Sequence, residues 1–98
     1  MRRVLTVNLD TGWQLHPQVA LRPEPFGALL YHFGTRKLSF LKNVTIVGIV
    51  KSLADHPDAR SAIRAAGIED ARIDIYARAL ATLAESKMIV PAAAASAA

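Results

Sequence analysis

The sequence contains no cysteine, which excludes a disulfide scaffold, thiolate zinc sites, iron–sulfur ligation and thiol nucleophiles. It has no apolar run approaching the ~18–20 residues of a membrane span. The start, Met1-Arg2-Arg3-Val4-Leu5-Thr6-Val7-Asn8-Leu9-Asp10, carries signal-peptide charge, but Asn8 and Asp10 interrupt it before an apolar region can form. No run of like charge exceeds two residues, so neither a polybasic nor an acidic tail is present. Enzyme motifs are missing too: there is no P-loop, no Gly-x-Gly-x-x-Gly fingerprint and no Gly-x-Ser-x-Gly elbow.

What is present is 98 residues, 52% of them apolar, with a formal charge of +4. Eighteen residues are alanine, six of them in the last seven positions, which leaves larger side chains for one small core. The expectation is a single cytoplasmic domain over 13–90, preceded by a mobile N-terminal arm (1–12) and followed by an Ala-rich flexible tail (91–98). Alanine favours helix, but Pro91 interrupts that tail and nothing large follows it to be buried.

Between the ends the hydrophobic period changes once. From Trp13 to Leu41 it is that of strands: Trp13 and Leu15 alternate with Gln14 and His16, and Val19 and Leu21 with Ala20 and Arg22. Pro17 and Pro23-Glu24-Pro25 mark breaks. Ala28–Phe33 and Lys37–Leu41 then form a hairpin around Gly34-Thr35, read as a two-residue turn with glycine first. That register sets Tyr31 opposite Leu38 and Leu29 opposite Phe40 on one face, taken as the core face, with His32–Lys37 and Leu30–Ser39 on the other.

From Asn43 the period is helical. Asn43 is a good N-cap, and Ile46, Ile49, Val50 and Leu53 follow the i, i+3, i+4, i+7 pattern, despite a β-branched run that would suit a strand. A second, short helix spans roughly Pro57–Ala66, with Gly67 at its C′ position. A third runs from about Asp70 to Lys87 with a buried stripe of Ile73, Tyr76, Ala77, Leu80, Leu83, Ala84 and Met88. Three antiparallel strands followed by three helices make an α+β domain, and the helix order is that of a winged helix-turn-helix.

The layout invites a DNA-binding reading, but the third helix, where base contacts would lie, opens with Glu69, Asp70 and Asp74. Residues 69–88 carry a net charge of −1, which repels phosphate where a reader must attract it. A winged helix-turn-helix DNA-binding module is therefore the alternative, and no nucleic acid is expected as partner. His16, His32 and His56 lack the i,i+4 spacing of a helical metal site, and the acidic cluster suits the positive end of a helix. The expectation is no enzyme, no metal and no cofactor. The hairpin does offer an edge: Lys37–Leu41 has free N–H and C=O groups that can pair with an extended peptide. The lysines at either end equally suit an edge protected against pairing.

The runs Trp13-Gln14-Leu15-His16-Pro17-Gln18-Val19-Ala20-Leu21-Arg22, Phe26-Gly27-Ala28-Leu29-Leu30-Tyr31 and Arg36-Lys37-Leu38-Ser39-Phe40-Leu41 resemble the mycofactocin-biosynthesis peptide chaperones. These form part of the wider precursor-peptide recognition domain family, with the pyrroloquinoline-quinone peptide chaperones. The resemblance covers roughly residues 12–90 and is strongest in the strands. It implies a winged helix-turn-helix fold that no longer serves DNA, binding the leader of a ribosomally made precursor peptide as an added strand. It also implies a partner, a radical S-adenosylmethionine enzyme that modifies the precursor's C-terminal Val-Tyr and itself carries the cofactors. Carried onto this chain, the backbone of Lys37, Leu38, Ser39, Phe40 and Leu41 supplies the ladder, with Leu38 and Phe40 as groove floor. Arg72, Tyr76, Ala79 and Leu83 supply the wall. Plain core packing is the rival role for Tyr76 and Leu83, and the opposite flank, Asp74 and Ala81, fits the periodicity equally. Lys37 and Arg72 would steer an acidic leader. Without peptide, the same edge could pair two copies into a homodimer.

Overall fold

The computed structural model describes residues 8–92. Two antiparallel sheets and three helices make an α+β architecture. Strands β1 (Trp13–Leu15), β2 (Val19–Glu24), β3 (Gly27–His32) and β4 (Lys37–Leu41) come first, then α1 (Val44–Ser52), α2 (Ala59–Ala65) and α3 (Ile73–Glu85), and finally β5 (Ile89–Pro91). The main sheet has the order β2-β3-β4, so β4 is an edge, while β1 pairs with β5 in a second, two-stranded sheet. Pro17 separates strands of different sheets. Pro23 sits inside β2, where the missing N–H is tolerated because β2 is the other edge.

The β3–β4 register is the expected one, Leu29 opposite Phe40, Leu30 opposite Ser39, Tyr31 opposite Leu38 and His32 opposite Lys37. The face is reversed. Ala28, Leu30, His32 and Leu41 are buried against the helices, whereas Leu38 and Phe40 are 53% and 57% exposed. The reversal takes a polar group inside. The turn is not a two-residue glycine turn: Arg36, not Gly34, takes the left-handed backbone (φ 64°), and its N–H donates to the His32 carbonyl at 2.7 Å. Within that wider turn the N–H groups of Gly34 and Thr35 donate to His32 Nδ1 at 3.0 and 3.1 Å, which gives one nitrogen of the buried imidazole its partners on a face expected to point outward.

Gly27 closes the sheet against β4. Its φ is 149°, and a Cβ there would meet the Leu41 carbonyl oxygen, so only glycine lets the strands approach. Asn43 then caps α1, accepting from the Ile46 N–H at 2.8 Å, and Ile46, Ile49 and Val50 are buried. Leu53 continues the buried face from a 3₁₀ turn, Leu53–Asp55. Asp58 caps α2 through the Ser61 N–H at 2.7 Å, two residues later than Pro57 suggested, and Gly67 is left-handed (φ 86°).

The third helix is shorter than its periodicity. It opens with a separate 3₁₀ turn, Asp70–Arg72, and ends at Glu85, because Lys87 turns left-handed (φ 65°). Its buried residues are Ile73, Tyr76, Leu80, Ala81 and Leu83. Met88 is buried but lies beyond the helix, where its N–H donates to the Leu83 carbonyl at 2.8 Å and the chain enters β5.

Of the arm assigned to 1–12, residues 1–7 lie outside the described residues. From Asn8 on, the chain is tied to α2: Arg60 and Ala59 donate their N–H groups to the carbonyls of Leu9 and Thr11. Arg60 also pairs with Asp10 at 3.2 Å. At the other end Pro91 pairs with Trp13, and Ala92 donates to the Gly12 carbonyl. Residues 93–98 lie outside the description. Among the described residues no helix is long and apolar enough to cross a membrane.

Candidate peptide-binding groove

One hydrogen bond determines what the edge strand presents. Phe33 donates its N–H to the Gln18 carbonyl at 2.8 Å. Backbone groups alternate sides along an antiparallel strand, so the odd residues of β3 bond toward β2 and the even ones toward β4. Given the register, Ser39 and Leu41 spend their backbone groups on β3, while the Lys37 N–H donates to Thr35 Oγ1 at 3.3 Å in the turn. The Leu41 carbonyl lying against Gly27 agrees with this. Among the described residues, Leu38 and Phe40 therefore carry the unpaired N–H and C=O groups of β4. The expectation of a ladder along all of Lys37–Leu41 narrows to these two residues.

Beside that edge lies an open groove of about 610 Å³, within the usual range for ligand sites. From β4 it is lined by Leu38, Ser39, Phe40 and Leu41, and from α3 by Arg72, Ile75, Tyr76, Ala79, Thr82 and Leu83. The junction Lys42-Asn43 and Ile46 of α1 close one side. Eight of the nine residues singled out from sequence thus meet at one groove. Lys37 is the exception, placed at the turn end of β4 and absent from the lining. The groove follows the Arg72–Tyr76–Ala79–Leu83 flank, not Asp74 and Ala81, of which Ala81 is buried in the core.

Side-chain direction modifies the roles. Leu38 and Phe40 are the outer rim of the groove and not its floor, since they stand on the exposed sheet face. The floor is made by Leu41, Ile46, Tyr76 and Leu83, all buried yet lining the groove, so the core and groove roles of Tyr76 and Leu83 coincide. Sequence reasoning missed Ile75, Thr82, Lys42, Asn43 and Ile46. Ile75 had a readable signal, an isoleucine lying off the expected buried stripe, and it is 58% exposed. Thr82 lies three residues beyond Ala79 on the same face. The α1 junction had none, because only the fold swings it over the groove.

The groove is apolar with a basic edge. Arg72 and Lys42 have no carboxylate partner among the described residues, whereas Asp70 is held by Arg64 at 3.1 Å and Glu24 by Arg22 at 3.1 Å. The lining includes no histidine and no carboxylate, and no cluster of metal-ligating side chains occurs among the described residues. What the groove offers is hydrogen bonding from a strand edge and burial of apolar side chains.

The chain is matched from residue 12 to 90 by the model of the peptide chaperone MftB family. It is 70% identical over 82 residues to the peptide chaperone MftB of Mycobacterium ulcerans (strain Agy99), covering 84% of this chain and 75% of that protein. To the protein of the same description from Mycobacterium tuberculosis (strain ATCC 25618 / H37Rv) it is 68% identical over 82 residues, with the same coverage. The Mycolicibacterium smegmatis (strain ATCC 700084 / mc(2)155) protein is 64% identical over 87 residues, covering 89% of this chain and 85% of the relative. No solved structure matches the chain. A family match across most of the chain, joined by relatives of this identity, means that the chain belongs to the peptide chaperone MftB family.

Proposed function

We propose that the protein binds the leader of a ribosomally made precursor peptide as an extra strand on β4 and presents it to a radical S-adenosylmethionine maturase in mycofactocin biosynthesis. The observation that carries this reading is the juxtaposition of the free Leu38 and Phe40 backbone with an apolar groove walled by α3. An extended peptide would take its ladder bonds from those two residues and alternate its side chains between groove and solvent. Arg72 and Lys42 favour acidic residues flanking the apolar ones, through a salt-sensitive contribution. The role is non-catalytic: holding the leader raises the effective concentration of the distant reacting end at the enzyme. The helices α1 to α3 with the β3–β4 hairpin as wing follow a winged helix-turn-helix layout, turned from phosphate to peptide.

The test is a calorimetric titration with the synthetic precursor peptide, beside a random DNA duplex, at two salt concentrations, followed by amide exchange of the complex. The expected result is a defined peptide stoichiometry, with new exchange protection at the amides of Leu38 and Phe40. Binding to duplex alone, weakening steeply as salt rises, would overturn the reading.

A further inference from the structure

The main sheet has two faces, and among the described residues only one is covered. Ala28, Leu30 and Leu41 pack beneath the helices, while the opposite face carries Tyr31, Phe33, Leu38 and Phe40. Phe33 is 62% exposed and meets Tyr31 edge-on, with ring centroids 4.8 Å apart. Phe40 meets the exposed Phe26 at 6.0 Å. Four exposed or half-exposed aromatics on one small sheet form a contiguous patch of the kind that marks an interaction surface.

Charge narrows what can cover it. Arg36 and Lys42 edge the patch, exposed and without carboxylate partners among the described residues. The carboxylate of this sheet, Glu24, is already held by Arg22. A second copy is a poor occupant: antiparallel pairing of two β4 strands about Ser39 sets Lys42 opposite Arg36 of the other copy, and directly opposed like charges destabilise a ladder. Single-stranded RNA stacks best on a run of parallel ring faces, but the rings here are inclined to each other, at 88° for Tyr31–Phe33 and 56° for Phe26–Phe40. The complement is a protein surface with an apolar centre and carboxylates around it.

The edge strand connects this face to the groove. A peptide added to β4 alternates its side chains, so every second one emerges on the outer face beside Leu38 and Phe40. A protein seated there touches chaperone and leader at once. Resting on the leader-binding reading, we infer that the outer sheet face around Tyr31, Phe33, Leu38 and Phe40 docks the enzyme that modifies the bound peptide, and that this enzyme binds the loaded chaperone more tightly than the free one.

Phe33→Ser and Arg36→Gly test this without touching the groove. Phe33 is exposed, and glycine suits the left-handed backbone of Arg36, so both variants keep the fold. Each full-length variant is titrated with the precursor peptide. Each is then titrated with the radical S-adenosylmethionine maturase, free and peptide-loaded, and with poly-uridine RNA. The expected result is peptide affinity within about twofold of wild type. For Phe33→Ser, affinity for the maturase falls at least about tenfold, or about 1.4 kcal/mol; for Arg36→Gly the fall is smaller and fades at high salt. Wild type binds the maturase several-fold more tightly when loaded. Unchanged maturase affinity in Phe33→Ser, equal affinity of loaded and free wild type, or Phe33-dependent binding of the RNA instead would each overturn the docking surface while leaving leader binding intact. Failure of wild type to bind the peptide at all would remove the leader reading first, and this one with it.

Discussion

The imidazoles of His16 and His32 lie 4.3 Å apart, centroid to centroid, where the β1–β2 and β3–β4 connections meet. Both rings accept backbone N–H groups at Nδ1, His16 from Gln18 at 3.0 Å and His32 from Gly34 and Thr35. His32 is 2% exposed and its Nε2 has no partner among the described residues.

Burial, and then the neighbouring His32, hold the His16 pKa below its ordinary value of 6.5. A histidine depressed in the fold stabilises in its neutral form, so its contribution is complete above the unfolded value. It is lost as pH falls through 6.5 toward the lower folded value. Urea midpoints measured from pH 7.5 to 5 should therefore fall on the acid side. His16→Asn, which keeps an acceptor near Nδ1 but cannot titrate, should show a flatter profile.

Proline placement reads the strand edge directly. Ser39 faces Leu30 across the ladder, and its N–H points into the sheet. Ser39→Pro should thus lose a native hydrogen bond and leave a partner unsatisfied, at about 1–3 kcal/mol of stability. Leu38 has an outward N–H, so Leu38→Pro should melt within a few degrees of Leu38→Ala. It should bind the precursor peptide more weakly than the alanine variant by about 0.5–1.5 kcal/mol, one ladder bond. Thermal melts paired with calorimetry separate the two effects, and equal peptide affinities for the two Leu38 variants would refute the assignment.

The two capped helices should respond differently to acid. Asn43 caps α1 without a charge, so Asn43→Ala should cost about 1 kcal/mol independently of pH. Asp58 caps α2, and its bonds to Ser61 depress its pKa below 3.8. A depressed carboxylate stabilises above its unfolded pKa and loses that contribution as pH falls below it. The midpoint difference between wild type and Asp58→Ala should accordingly be largest near neutrality and close toward pH 2–3, as denaturation curves across that range would show.

How much of this was legible in the sequence depends on the length over which each rule acts. Asn43, Pro57 and Gly67 act within one turn, and the helix starts and stops followed from them to within a few residues. The β3–β4 register was readable because pairing is counted outward from a short turn. The face was not, since apolar size favoured Leu29, Tyr31, Leu38 and Phe40 inside. The buried face instead carries Ala28, Leu30, Leu41 and His32, the last held at the turn by two backbone N–H groups on Nδ1. Strand β5 was invisible, because three residues after a left-handed Lys87 have no period, and their partner β1 is more than seventy residues away. The groove wall on α3 came from helical spacing together with the resemblance. Its α1 side depends on how the chain turns after Leu41, which no local pattern encodes.

Ala79 gives the sharpest test of the groove itself. It is half-buried on the wall formed by α3, between Tyr76 and Leu83, and its methyl leaves the space that a leader side chain would enter. Ala79→Phe should fill that space from a helical position where the backbone tolerates either residue. Because the groove opens to solvent, the ring can lie over Leu38 and Phe40 instead of forcing the core apart. Stability should then change by less than about 1 kcal/mol, since helix propensity differs by only ~0.5 kcal/mol between the two residues. Peptide affinity should fall at least tenfold, about 1.4 kcal/mol. A variant with unchanged melting and unchanged peptide affinity would place the leader elsewhere. One that melts early would show the wall to be core, and Ala79→Ser, smaller and polar, would then carry the comparison.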